Sequence, residues 1–375
     1  MTTPALHALA LQVVWWTFAL GVVFGMTAQR TQFCTMGALS DIFNMGDWNR
    51  MRQWLLAMAV AIAGTTVLAG SGLIDTGKSL YTGTRLNWLS HLVGGACFGF
   101  GMVLASGCGN KTLVRIGSGN LKSLVVFIVV GLAAFMTLRG VLAIPRTALL
   151  DSQFVTLGSH QDLPSIIAAR LGGISLGAAQ YGCGALATIA LLAFVFAGRA
   201  FREREALATN LAAGIIIGAT IVAAWYVSGH LGYVAEHPDT LQEAFLTTNS
   251  GRMESFSFVA PYAYTLDLLM MWTDASKAIS FGIAATLGVI CGAFIMAVAR
   301  GTFRWEGFGS VEDVGNHLGG AVLMGFGGIT ALGCTIGQGL SGISLLSVGA
   351  MLSVVGIAAG ARVATSYQMW RVGLQ

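Results

Sequence analysis

Long apolar stretches recur along the whole chain, and this recurrence constrains the fold more than any motif does. A window of about 19 residues finds about nine of them, at residues 11–28, 53–73, 91–106, 121–138, 166–197, 207–228, 278–299, 317–332 and 343–361. Only 10% of the 375 residues are charged, against roughly 25% in soluble domains, and the mean hydropathy is +0.75. Lipid cannot hydrogen-bond backbone groups, so such stretches must form helices or a closed barrel. The alternating ten-residue segments of a barrel are missing. The sequence therefore predicts an all-α polytopic membrane protein of about nine transmembrane helices, a single domain over 1–375, with the short run 260–272 lying at the interface.

Several function classes fall away. A net charge of +4, scattered along the chain, argues against nucleic-acid binding. The six cysteines, Cys34, Cys97, Cys108, Cys183, Cys291 and Cys334, lie in or beside apolar runs, unlike a secreted disulfide framework. With no CxxC and no histidine pair at ligand spacing, neither a metal nor another cofactor is expected. The N-terminus lacks the basic start of a removable signal, so the first apolar run reads as an anchor. With nine spans, Arg50, Arg52, Arg199, Arg202, Arg204, Arg300, Arg304, Arg362 and Arg371 share one side, which should be cytoplasmic. The N-terminus then faces out and the C-terminus in. Lys78, Arg85, Arg139, Arg146 and Arg252 break this rule. Small residues four apart, such as Gly95 with Gly99 and Gly288 with Gly292, read as close helix packing.

One pair of segments is nearly the same twice. HLVGGACFGFGMVLASGC (91–108) and HLGGAVLMGFGGITALGC (317–334) match at 9 of 18 positions, pairing His91 with His317, Phe100 with Phe326 and Cys108 with Cys334. Both runs have only about 16 residues before Gly-Cys and are followed by glycine-rich turns, so they read as broken, re-entrant helices. The nine-span order brings the first copy in from outside and the second from inside. That is an inverted pseudo-repeat, with halves about 11–140 and 166–361. A fainter echo pairs AQRTQF (28–33) with VARGTF (298–303).

Glycine turns and helix N-termini bind anions through free N–H groups without burying a side-chain charge. The breaks thus suggest an anion pathway flanked by Gly107, Gly109, Gly333, Thr335 and Gln338. Lys111 and Arg115 could draw an anion inward or simply mark the cytoplasmic face; the second copy lacks both. Cys97, Cys183 and Cys291 read as small hydrophobes. Cys108 and Cys334 occupy matching breaks and read as functional, while Cys34, just past an apolar span in QRTQFCTMGALSD, admits either reading. His91 and His317 begin their helices and read as caps. Asp267, Asp274 and Lys277 flank the short run and read as solvated.

GMTAQRTQFCTMGALSD, GFGMVLASGCGNKTLVRIGSGN and LMGFGGITALGCTIGQGLSG together resemble the YeeE/YedE family of bacterial inner-membrane proteins, over about residues 20–345. The resemblance implies an hourglass-shaped bundle whose waist is lined by cysteine. It implies import of thiosulfate or a similar inorganic sulfur anion by transient thiol hydrogen bonds, without covalent chemistry. Cys108, Cys334 and Cys34 match the family's positions, and Cys291 is a further candidate. Some family members work beside a small cytoplasmic TusA-like sulfur carrier, which suggests a partner. Two alternatives stay open at this point: a sulfurtransferase forming a cysteine persulfide near Lys111 and Arg115, and a transporter of a selenium compound.

Overall fold

The computed structural model describes residues 3–171, 173–198, 204–238, 240–274 and 276–373; Arg199 and Arg202, used above for orientation, lie outside them. The chain is helical almost throughout. In order it forms α1 (Thr3–Thr31), α2 (Thr35–Met45), α3 (Asn49–Gly70), α4 (Trp88–Leu104), α5 (Gly109–Gly117), α6 (Leu121–Arg139) and the short α7 (Ala143–Pro145), which continues into a π-wound turn, Arg146–Leu150. Then come α8 (Leu163–Leu171), α9 (Leu176–Phe196), α10 (Arg204–Tyr226), α11 (Ala260–Met270), α12 (Phe281–Ala299), α13 (Val311–Thr330) and α14 (Val348–Gly373). The only strands among the described residues are two pairs of two-residue ribbons, Arg85–Leu86 with Val155–Thr156 and Tyr233–Val234 with Ala244–Phe245.

Eight segments among the described residues are long and apolar enough to cross a membrane, with α1–α2 and α4–α5 each counted as one. The ninth expected span is α13, whose first turn carries Glu312 and Asp313. Two expectations change. The apolar run 166–197 is not one helix: Ser175 caps α9 by accepting a hydrogen bond from the Ala178 amide, so the run divides into α8 and α9. The run 260–272 is partly enclosed by protein, with Leu269, Met270, Met271 and Trp272 left exposed at its end. Pro261, Tyr262, Ala263 and Leu268 of α11 are buried, packed against α6 and α12.

Glycines set how the long helices meet. A methyl on Gly95 or Gly99 of α4 would strike Ser353 or Ile357, so α4 and α14 run parallel with backbones touching. The pairs Gly21–Ala285 and Gly25–Val289 align α1 parallel to α12, and Gly214–Leu56 and Gly64–Val222 align α10 parallel to α3. The duplicated helices α4 and α13 cross in the opposite sense. Gly94 lies against Ala331 and Gly327, while Gly320 lies against Ala105 and Gly101, each contact mirrored by its partner in the other copy. The two copies therefore run antiparallel, the end of each helix lying against the start of the other.

Candidate functional site: three helix breaks headed by cysteine

Three helices, α1, α4 and α13, stop in the same way. The residue after the last turn is left-handed: Gln32 at φ 53°, Ser106 at φ 53° and Leu332 at φ 58°. The next amide reaches back five residues, Phe33 to the Ala28 carbonyl (3.2 Å), Gly107 to Met102 (2.9 Å) and Gly333 to Gly328 (2.8 Å). This is the usual helix stop, but glycine normally takes the left-handed place. Here non-glycine residues hold it in all three, at a cost of about 1 kcal/mol each, so the surrounding packing must fix the turn. The following residue is then a cysteine each time, Cys34, Cys108 and Cys334, and it heads the next short helix.

The cap geometry has a chemical consequence. Cys34 Sγ accepts from the Gly37 amide at 3.4 Å and Cys334 Sγ from the Gly337 amide at 3.5 Å, whereas Cys108 heads α5 without a side-chain cap bond. A sulfur that accepts from the backbone keeps its S–H free to donate. The sequence carries this device openly, as Cys-Thr-x-Gly at 34–37 and again at 334–337. That signal marks Cys34 as a third member, which comparison of the two long copies does not reveal. The expectation that glycine amides form the anion cradle needs correction: the Gly107 and Gly333 N–H groups are spent on closing α4 and α13. Those glycines serve packing instead, with Gly107 against the Lys111 stem and Gly333 against Gln338.

The three thiols lie in a row. Cys108, fully buried, neighbours the Cys34 thiol on one side and the Thr335 hydroxyl on the other. Cys334, also fully buried, belongs to the same cluster, its Cβ 4.0 Å from where a methyl on Gly109 would sit. The Tyr262 hydroxyl donates to the Gly109 carbonyl and pins this junction. Thr35 and Thr335 have buried hydroxyls without a hydrogen-bond partner, as do the side-chain oxygens of Asn110 and Gln338. Unsatisfied buried polar groups are rare in folded proteins, and four within a turn of three cysteines mark a place built for a polar guest.

The ends of the row differ. Beyond Cys334 opens a cavity of about 140 Å³, lined among others by Tyr81, Arg146, Glu254, Ser257 and Gly333. Ser257 is shared, its hydroxyl adjacent to both Cys334 and Tyr81. Beyond Cys34 stand cations. Lys111 Nζ donates to Gln32 Oε1 at 2.6 Å, and Arg115 Nη1 donates to the Ser106 carbonyl at 2.8 Å, so each side chain also braces a left-handed residue. Both lie within electrostatic reach of Cys34, and Arg50, paired with Asp41 at 3.1 Å, joins them. Their absence from the second copy, which on sequence grounds diminished them, is what polarises the row.

The other cysteines stand apart. Cys291 is half-buried in the middle of unbroken α12, and Cys97 and Cys183 are likewise inside continuous helices. His91 bonds Ser353 Oγ at 2.8 Å and His317 meets Asp313, both structural roles. Asp267 and Lys277 pair with each other at 2.5 Å. Among the described residues no group of acidic, histidine or cysteine side chains could hold a metal ion.

Comparison with known proteins agrees with this architecture. The model of the sulphur transport family matches residues 30–363, which include all three breaks. The chain is 27% identical to the thiosulfate transporter TsuA of Escherichia coli K12 over 353 residues, 90% of each chain. It is 24% identical to the TsuA of Spirochaeta thermophila over 354 residues, 92% of this chain and 95% of that one. A shorter match, 30% over 101 residues, links it to the probable transporter YedE of Escherichia coli, covering 27% of this chain and 23% of that one. A family model spanning so much of a polytopic, all-helical chain leaves one conclusion: this membrane protein belongs to the sulphur transport family, the YeeE/YedE proteins.

Proposed function

We propose that this chain imports thiosulfate across the bacterial inner membrane, passing it from the outer cavity to Cys334, Cys108 and Cys34 and so to the cytoplasm. The observation that carries the reading is the row of three cysteines at helix breaks, two of them with the sulfur held by a backbone amide, between a cavity at the Cys334 end and a group of cations at the Cys34 end. The TsuA relatives lend the substrate.

Thiosulfate is a dianion with oxygen and soft sulfur acceptors. A thiol is a weak, polarizable donor, and several weak sites in series let an ion bind without being trapped. The free hydroxyls of Thr35 and Thr335 add donors beside the thiols. Lys111 and Arg115 lie at the Cys34 end of the row, with Arg50 beside them in its pair with Asp41, favouring exit there. The excess of arginine in the loops on that side supports a cytoplasmic position for that end, where a TusA-like sulfur carrier would receive the anion and prevent its return. The paired contacts of α4 with α13 support a repeat of opposite orientation, α1–α6 matched by α10–α14, with α7–α9 inserted between the halves. The halves are then redrawn from 11–140 and 166–361 to 3–139 and 204–373.

Uptake of radiolabelled thiosulfate by cells lacking other sulfate and thiosulfate importers tests the proposal. Uptake that depends on this protein is expected; its absence, or wild-type uptake in a Cys108→Ala, Cys334→Ala double variant, defeats it.

A further inference from the structure

The outer cavity contains one group that an anion pathway would not be expected to tolerate. Glu254 lines it together with Arg146, Tyr81 and Tyr264, on the way to Gly333 and Cys334. Its carboxyl accepts a hydrogen bond from the Ser250 amide at 3.0 Å, and among the described residues no cation lies within ion-pair distance of it. Arg146, across the same cavity, is held by Asp151 at 3.4 Å instead. The titratable groups near the carboxyl are Tyr81 from the loop after α3 and Tyr264 from α11; Arg146, from the turn after α7, lines the same cavity, and Arg252 on its own segment is exposed. An anion entering the cavity meets an arginine whose charge is already answered by Asp151. An ionised carboxyl in the same wall repels that anion, through a medium less polar than water.

We propose that Glu254 is a proton-binding gate of the outer cavity: a sulfur dianion passes to Cys334 only when this carboxyl has taken up a proton from the outside water. Protonated, the group changes from a repelling charge to a hydrogen-bond donor, and the cavity wall then presents only the Arg146–Asp151 pair among the charges lining it in the described residues. Ionised, it adds an unpaired negative charge to the cavity wall. Burial already holds the Glu254 carboxyl above the usual carboxylate range, with the hydrogen bonds from Ser250 drawing it partly back. The neutral form thus persists to a higher pH than for a free glutamate. This inference rests on the transport reading above, but it names a ligand, the proton, and a residue outside the cysteine row.

The test is thiosulfate uptake by proteoliposomes containing the full chain, with the outside varied between about pH 6 and about pH 8 at fixed inside pH; thiosulfate stays a dianion throughout. Wild-type uptake is expected to fall up to about tenfold per pH unit once the carboxyl ionises. Glu254→Gln, a permanent neutral donor, should transport at both ends with a flat profile, and Glu254→Asp should keep the dependence with a displaced midpoint. Infrared difference spectra on adding thiosulfate provide a readout independent of flux: a protonated-carboxyl band should appear in wild type and be missing from Glu254→Gln. A pH profile that Glu254→Gln leaves unchanged, or a wild-type profile that is flat, overturns the gate while leaving thiosulfate transport standing. No wild-type uptake at any pH removes the transport reading and the gate with it.

Discussion

Replacing Cys108 by alanine removes the middle of the row, and the structure sets the size of the effect. Cys108 is fully buried, and the place where a methyl on Gly109 would sit is already ringed by Phe258 at 3.7 Å, the Tyr262 hydroxyl at 3.9 Å and Cys334 at 4.0 Å. Alanine offers no S–H in its place. A passing dianion then lacks one donor, and a hydrogen bond to a charged group is worth about 1.5–3 kcal/mol. At about 1.4 kcal/mol per factor of ten, uptake should drop roughly 10- to 150-fold. The fold should survive, because Cys108 makes no side-chain cap bond and its loss removes only a small buried side chain, at a cost of about 1 kcal/mol. Cys108→Ser separates donation from softness: the hydroxyl still donates but holds the anion more tightly, so uptake should fall less and saturate at lower concentration. The assay is initial-rate uptake of radiolabelled thiosulfate, normalised to folded protein in the membrane. Rates for Cys108→Ala within twofold of wild type would refute the row as the conducting path. Persulfide on any cysteine of the active protein, detected by mass spectrometry, would contradict a non-covalent passage.

Other outcomes follow from the same geometry. Cys291→Ala should leave uptake within about twofold, since that thiol sits in unbroken α12 away from the caps; a large loss would add it to the path. Gly94→Val should lower thermal stability by about 1–3 kcal/mol and depress uptake, because its Cβ would come within 2.5 Å of the Ala331 amide, a collision a detergent-solubilised melting curve would register. Lys111→Gln should slow uptake while leaving folding intact, with the deficit shrinking as salt is raised on the cytoplasmic side; a salt-independent defect would point to lost bracing of Gln32 instead. On the basic face, the hydrogen bond from Asn120 at 2.7 Å holds the Glu306 carboxyl below the usual carboxylate range, with Arg304 assisting. Its stabilisation is therefore complete above the unfolded carboxylate value and lost as pH falls through the lower folded one. The difference in melting temperature between wild type and Asn120→Ala should thus be constant near neutrality and shrink in acid.

Much of the architecture can be read from hydropathy, because a lipid-facing helix must be both long and apolar. What hydropathy cannot read is an interruption that is itself apolar. The run 166–197 conceals the end of α8 and the start of α9, marked only by Ser175 as a cap, and α11 looks interfacial because a short apolar run does not reveal whether protein or headgroups surround it. At the site, duplication made Cys108 and Cys334 conspicuous, while Cys34 required the smaller Cys-Thr-x-Gly signature, whose threonine and glycine matter through the cap they build. Comparing copies also hides what differs between them. Lys111 and Arg115 dropped out of such a comparison, although a device that moves an ion one way needs unequal ends. Tyr81, Ser257 and Glu254 come from loops distant in sequence and share no pattern that would gather them before the chain folds.

The crossing of α4 and α13 bears on how the protein works in time. Gly94, Gly101, Gly320 and Gly327 put two backbones in contact at the centre of the molecule, the same backbones that carry Cys108 and Cys334. Rocking one half against the other, the usual way of exposing a site alternately to each side, would have to pull this seam apart or slide it, against close packing that is bistable at best and never slack. A stiff centre suits a different division of labour, in which the scaffold stays still and the ion steps between fixed donors. Such a protein should show shallow temperature dependence of flux and little change in hydrogen exchange along α4 and α13 during turnover. Its throughput would be set by how loosely each thiol lets go.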